Sequence, residues 1–159
     1  MGILNLTPDS FSDGGKFNNE KSSKKQINKL IFYGADIIDV GGESTRPGSD
    51  DIIASKEWSR IKKSIKYLKT KNIAVSLDTR KSFIMKKVLK YKLNIINDVS
   101  GLAYDKDTIN LLKRTKIPFV LQHTKGSPKN MQKNPSYKDV LLDIYDYFEM
   151  KLNNIRKMG

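Results

Sequence analysis

The sequence predicts an α/β chain built on a parallel sheet, and three observations predict it. Five short, β-branched apolar runs recur along the chain. Each is followed by a longer stretch with apolar residues at three- and four-residue spacing, and each apolar run exits on a polar side chain. Strict alternation of strand and helix implies right-handed βα units. Strands that are nearly all apolar are those expected to be buried on both faces of such a sheet.

The first strand is expected over Met1–Leu6 and breaks into a polar loop, Thr7–Asn19, with two Asp, two Gly and a Pro. A helix near Glu20–Tyr33 follows, with Ile27, Leu30 and Ile31 on one face. The second strand, Asp36–Val40, leads into another long loop, Gly41–Ala54, with a Gly-Gly pair, Thr45, Arg46, Pro47 and Gly48. The next helix, near Ser55–Lys69, aligns Trp58, Ile61, Ile65 and Leu68, and Ser55 is placed to cap its start. Strand Ile73–Leu77 precedes a helix after Ser82 that carries Ile84, Val88 and Leu89. Strand Asn94–Ile96 precedes a helix near Asp105–Arg114 that carries Ile109 and Leu112. Strand Ile117–Leu121 is followed by an irregular stretch, His123–Pro135. The last helix, about Ser136–Arg156, carries Val140, Ile144, Tyr147, Phe148 and Leu152. Five such units fit either a doubly wound sheet or the first part of an eight-stranded barrel. A complete barrel takes about 250 residues, so length alone favours the doubly wound sheet.

The chain has 159 residues, enough for one domain with a real core, and a net charge of +13. Lysines scattered along every expected helix supply that charge. No aromatic-basic ribbon accompanies them, so a solvated lysine surface is expected rather than a nucleic-acid partner. Cysteine is absent, which removes disulfide and thiolate chemistry and suits a reducing, cytoplasmic setting. No signal peptide is legible, and no apolar run nears the roughly 20 residues of a membrane span, so no membrane partner is expected.

The strand exits carry the functional signal: Asn5, then Asp39 and Glu43, then Asp78, then Asn97 and Asp98, then Gln122 and His123. Polar side chains after apolar strand interiors are costly unless hydrogen-bonded. In a parallel α/β sheet they converge on the carboxyl face, where ligands bind. Each alone has a simpler use, as a helix cap or turn residue. Together, Asp and Asn suit a flat heterocycle with mixed amide and amino edges better than a phosphate or acyl group. No zinc cluster, Gly-x-Ser-x-Gly or Walker loop is present. His123 is expected to pack at a loop base with its nitrogens satisfied rather than to act in catalysis.

Four segments in order, GILNLTPDSFSDGG with Asn5, DVGGESTRPG from Asp39 to Gly48, SLDTRKS with Asp78 and INDVSGL with Asn97, resemble dihydropteroate synthases. Gly126–Gln132, GSPKNMQ, resembles that family's segment after the fifth strand. The resemblance spans essentially the whole chain as one pterin-binding domain over residues 1–159. It implies a (β/α)8 TIM barrel, of which the chain covers about the first five βα units, and so reverses the preference drawn from length. The implied activity is the transferase step of folate biosynthesis: condensation of 6-hydroxymethyl-7,8-dihydropterin diphosphate with 4-aminobenzoate, giving 7,8-dihydropteroate and pyrophosphate. By the same resemblance Asp78 and Asn97 would be the catalytic pair that hydrogen-bonds the pterin ring. Asn5 would lie by the diphosphate and its Mg²⁺. Thr45 would contact the pterin diphosphate, Arg46 and Pro47 would belong to the second signature loop, and Phe11 would shape the aminobenzoate pocket. Two other readings are a non-catalytic pterin-binding half-barrel and a methyltetrahydrofolate-dependent methyltransferase-type barrel; TPDSFSDGG and GESTRPG argue against the latter.

The sequence departs from the family in several places. The chain stops at Gly159, and the Asp-Pro-Gly-x-Gly-Phe, Ser-Arg-Lys and Arg-x-His segments expected on strands six to eight are absent. Residues 1–159 alone are therefore expected to be poorly stable and inactive, with a homodimer expected at full length. Gln122, His123 and Thr124 stand where Met-His-Met is common, and Arg80 stands where a small residue is common.

Overall fold

In a computed structural model, which describes residues 1–7, 20–46, 49–125 and 135–159, all five strands pair in parallel and in chain order. They are β1 (Gly2–Asn5), β2 (Ile37–Gly41), β3 (Ala74–Asp78), β4 (Ile95–Asp98) and β5 (Phe119–Leu121). The helices between and after them are α1 (Glu20–Phe32), α2 (Ala54–Leu68), α3 (Ser82–Val88), α4 (Asp107–Thr115) and α5 (Val140–Lys157). This order decides between the two architectures left open by the strand and helix pattern. A doubly wound sheet reverses its strand order partway so that helices cover both faces. Here the order never reverses, so right-handed crossovers stack every helix on one face. The result is a run of five βα units of a (β/α) barrel.

The two faces of the sheet differ accordingly. Leu4, Ile38, Val40, Val75, Leu77 and Ile96 point toward the helices and are fully buried. They meet Ile27 of α1, Ile61, Ile65 and Leu68 of α2, and Ile84, Met85 and Val88 of α3. The intervening lysines of α2 stay in water, as its 3.6-residue pattern requires. On the opposite face Ile3 is 63% exposed and Val120 37%. The expectation of burial on both faces therefore holds only toward the helices. The inner face of a barrel is buried by strands across the barrel, and these five form one side of such a wall.

Element boundaries shift in an informative direction. β2, β3 and β4 run past their apolar stretches to Gly41, Asp78 and Asp98, so polar residues themselves hold ladder positions. Helix α2 begins at Ala54 with Ile53 at the N-cap and no side-chain cap, which leaves Ser55 inside the first turn. Helix α5 begins at Val140, not Ser136, because the Asp139 carboxylate accepts hydrogen bonds from the Leu141 and Leu142 N–H groups.

Candidate active site

Strand register places the polar exits side by side. Asn5 pairs with Gly41, Gly41 with Asp78, Asp78 with Asn97, and Asn97 with Val120. Residues two apart along a strand share a face. Asp39 and Ser76 therefore lie on the same face one layer below, in a row with Ile3 and Ile95. Gly41 matters for what it lacks. A Cβ at that position would stand 3.1 Å from Asp78 Oδ2 and 3.3 Å from Asn5 Oδ1, so the bare backbone leaves room for both side chains.

Asn97 is held from two sides. Its Nδ2 donates to Asp39 Oδ2 at 3.1 Å, and its Oδ1 accepts from Gln122 Nε2 at 3.0 Å. These bonds fix the orientation of the amide and leave it one further N–H and one further lone pair to offer a ligand. Buried acceptors beside it remain unused. Among the described residues, Asp39 Oδ1 and Ser76 Oγ are fully buried without a partner, and no hydrogen bond reaches the Asp78 carboxylate. Burial pushes the Asp78 carboxyl up from 3.8 to about 7, helped by the negative charges of Asp39, Glu57, Asp98 and Glu43. The chain is strongly basic overall, yet this face is acidic and rich in acceptors. It suits a ligand that presents N–H donors.

Behind this row lies a buried ion cluster. Lys81 Nζ donates to Glu43 Oε1 at 2.6 Å and to Glu57 Oε2 at 2.9 Å, and Thr79 Oγ1 donates to Glu57 Oε1 at 2.5 Å. Arg80 Nη2 donates to Glu43 Oε2 at 2.9 Å and Asp51 Oδ1 at 3.0 Å. The Ile52 N–H also donates to Glu43 Oε1 at 2.9 Å. Burial alone would raise the Glu43 carboxyl, but Ile52, Lys81 and Arg80 outweigh it and hold it below its ordinary value. Burial would likewise lower the Lys81 ammonium, but Glu43 and Glu57 hold it above its ordinary value.

The structure sorts the expected site residues into three groups. Asn5, Asp39, Asp78, Asn97 and Gln122 come together on the inner face. Glu43, Asp98 and His123 do not join them. Glu43 sits in the ion cluster. Asp98 faces the helices, where its Oδ1 accepts from the backbone and hydroxyl of Ser100. The ring of His123 packs edge-on against Tyr147, 4.7 Å between centroids. Among the described residues it gains ring contacts rather than the hydrogen bonds expected for its nitrogens. Thr45 and Arg46 lie in the loop after β2, in a turn closed by Ser49 Oγ donating to the Ser44 carbonyl and Ser49 N to that of Arg46. Phe11, Pro47 and the Gly126–Gln132 segment lie outside the described residues. Sequence reading passed over Lys81, Glu57 and the role of Arg80.

Together these features define an acidic, acceptor-rich candidate site at the strand ends of a (β/α) barrel wall. The chain belongs to the pterin binding enzyme family, which it matches over residues 1–159. It is 42% identical over 154 residues to the dihydropteroate synthase of Neisseria meningitidis serogroup C, covering 95% of this chain and 54% of that protein. It superposes with TM-score 0.91 and 34% identity on the Yersinia pestis dihydropteroate synthase solved as a sulfonamide drug complex, covering 100% of this chain and 58% of that one. The Burkholderia cenocepacia dihydropteroate synthase complexed with 7,8-dihydropteroate gives TM-score 0.83 and 30% identity, covering 100% of this chain and 53% of that one. The chain thus spans little more than half the length of these relatives.

Proposed function

We propose that this chain forms the pterin-holding side of a dihydropteroate synthase. The observation that carries the reading is the inner-face row of Asn5, Gly41, Asp78 and Asn97, with Asp39 hydrogen-bonded beneath Asn97. The ring edge of a 2-amino-4-oxopteridine offers adjacent N–H donors and a carbonyl. The Asp78 carboxylate, without a hydrogen bond among the described residues, accepts from the donors. Asn97 supplies the mixed donor and acceptor that completes the match, with its orientation fixed by Asp39 and Gln122.

In the reaction the bond from the pterin methylene carbon to the diphosphate oxygen breaks and a bond to the 4-aminobenzoate nitrogen forms. The amine proton leaves, and pyrophosphate is released. No protein nucleophile is needed. The residues hold the pterin in place, and a carboxylate beside the ring favours the positive charge that develops as the leaving group departs. Near pH 7 the free Asp78 is shared between its acid and carboxylate forms, and N–H donors from the ring favour the carboxylate.

Mg²⁺ belongs to the same reading. The described residues contain no cluster of three His, Cys, Asp or Glu able to hold a metal alone, but the donor set fits a hard cation that keeps several waters and leans on substrate phosphates. Asn5 would contribute its amide oxygen beside the diphosphate, and the ion when bound would neutralise leaving-group charge. A cytoplasmic setting and a homodimer at full length go with the reading as further proposals.

Calorimetric titration with 6-hydroxymethyl-7,8-dihydropterin diphosphate tests it. Binding should be lost in Asp78→Ala and Asn97→Ala and kept in Lys62→Ala. Chelation of Mg²⁺ should weaken binding in the parent but not in Asn5→Ala. Unchanged affinity in Asp78→Ala, or no binding by the parent chain, would sink the proposal.

A further inference from the structure

Arg80 stands apart from the pterin row, yet it joins three loops at the carboxyl end of the sheet. Its side chain is 2% exposed. A single guanidinium nitrogen, Nη2, reaches Glu43 at one base of the loop after β2 and Asp51 at the other. The flat face of the guanidinium lies over the Tyr104 ring at 4.3 Å, and the Tyr104 hydroxyl donates to Asp51 Oδ2 at 3.2 Å. The β3–α3 and β4–α4 loops are joined again by Ser82 N donating to Asp105 Oδ2 at 2.8 Å. Thr45 and Arg46 sit between the two anchored bases.

We propose that Arg80 is a positioning residue: by tying Glu43 to Asp51 against Tyr104, it closes the base of the second loop and fixes where Thr45 and Arg46 are presented to the substrate. The geometry explains why arginine does this better than lysine. A planar guanidinium lies flat on the Tyr104 ring while its Nη2 holds both carboxylates, whereas an ammonium is a point charge on a flexible stem. Without Arg80, Asp51 loses its ion pair and, among the described residues, Glu43 and Glu57 keep Lys81 alone, so the repulsion between the carboxylates pushes the loop base apart. What the loop presents itself to rests on the pterin diphosphate reading; the clasp itself does not.

The test pairs amide hydrogen exchange with ligand binding in the chain as it stands. In Arg80→Ala, exchange at residues 44–46 and 49–52 should accelerate about ten-fold or more, with the amides of β1 to β4 unchanged. Arg80→Lys should recover part of that protection. Asp51→Asn removes only the partly exposed arm and should accelerate the same amides about two- to five-fold; it decides the matter if Arg80→Ala does not fold. Asp51→Asn should also weaken the diphosphate-bearing pterin while leaving 6-hydroxymethylpterin without diphosphate unaffected, a split that general destabilisation does not produce. Unchanged exchange in these loop amides, or acceleration spread evenly over the sheet, overturns the clasp. If neither pterin binds the parent chain, the functional reading fails while the exchange result still decides on Arg80.

Discussion

Asp78→Asn should make the chain more stable, and the gain should grow with pH. In the folded protein burial and neighbouring carboxylates raise the Asp78 carboxyl from 3.8 to about 7. Between those values the folded state keeps a proton that the unfolded state releases, so stability falls as pH rises through that window. At about 1.4 kcal/mol per pH unit, the interval from 3.8 to about 7 corresponds to about 4 kcal/mol lost at pH 8. Asparagine has nearly the same shape and cannot ionise. Its advantage over the parent should therefore increase by about 2 kcal/mol between pH 5 and pH 7 and change little beyond. Urea unfolding at pH 5, 6, 7 and 8, followed by the fluorescence of Trp58 packed beside Tyr91, measures this directly. A stability difference that stayed flat across these pH values, or shrank as pH rose, would refute the argument that Asp78 is held in the fold at a cost. Loss of pterin binding in the stabilised variant would show what the cost is for.

Two more perturbations follow from the same geometry. Gly41→Ala places a methyl within 3.1 Å of Asp78 Oδ2 and 3.3 Å of Asn5 Oδ1; both side chains must give way, so pterin affinity should fall at least about ten-fold while stability changes by about 1 kcal/mol or less, read by calorimetry and urea unfolding. Glu57→Gln strips a fully buried carboxylate from Lys81 and Thr79. With Glu43 still bound to Lys81, the loss should be about 3 kcal/mol, at the low end for breaking a buried pair. A shift in the unfolding midpoint below about 0.5 kcal/mol would mean that the cluster contributes little.

The ion cluster has its own pH range. Glu43 is held below its ordinary 4.5 and Lys81 above its ordinary 10.5. The stability from Glu43 is therefore fully present above about pH 4.5 and lost as pH falls through its lowered value. That from Lys81 is present below about pH 10.5 and lost only above it. Across the range where Asp78 titrates, the clasp on the second loop stays charged. The charges of Glu43 and Lys81 are thus constant while Asp78 titrates, which allows the pH dependence of the difference between parent and Asp78→Asn to be read as a property of Asp78.

Much of this architecture was legible in the sequence because it follows from periodicity. Alternating β-branched runs and 3.6-residue patterns give five βα units, and the pleat of a strand puts Asn5, Asp78 and Asn97 on one face once their register is known. Register is not written in the residues. Backbone pairing of Gly41 between Asn5 and Asp78 depends on how the strands stack, and strand order alone separates a barrel wall from a doubly wound sheet of the same units. Parity also removed Asp98 from the site: one residue along a strand reverses the direction of a side chain, and a list of polar exits does not count that step. The least legible feature was the buried cluster. Arg80 and Lys81 lie 37 and 38 residues from Glu43, and Lys81 lies 24 from Glu57; nothing local announces that these charges meet away from water. Residue pattern specifies which elements form and which chemistry stands at their ends. Packing specifies which of those groups share a face and which pair with each other, because long-range contacts set the distances over which charges and hydrogen bonds act.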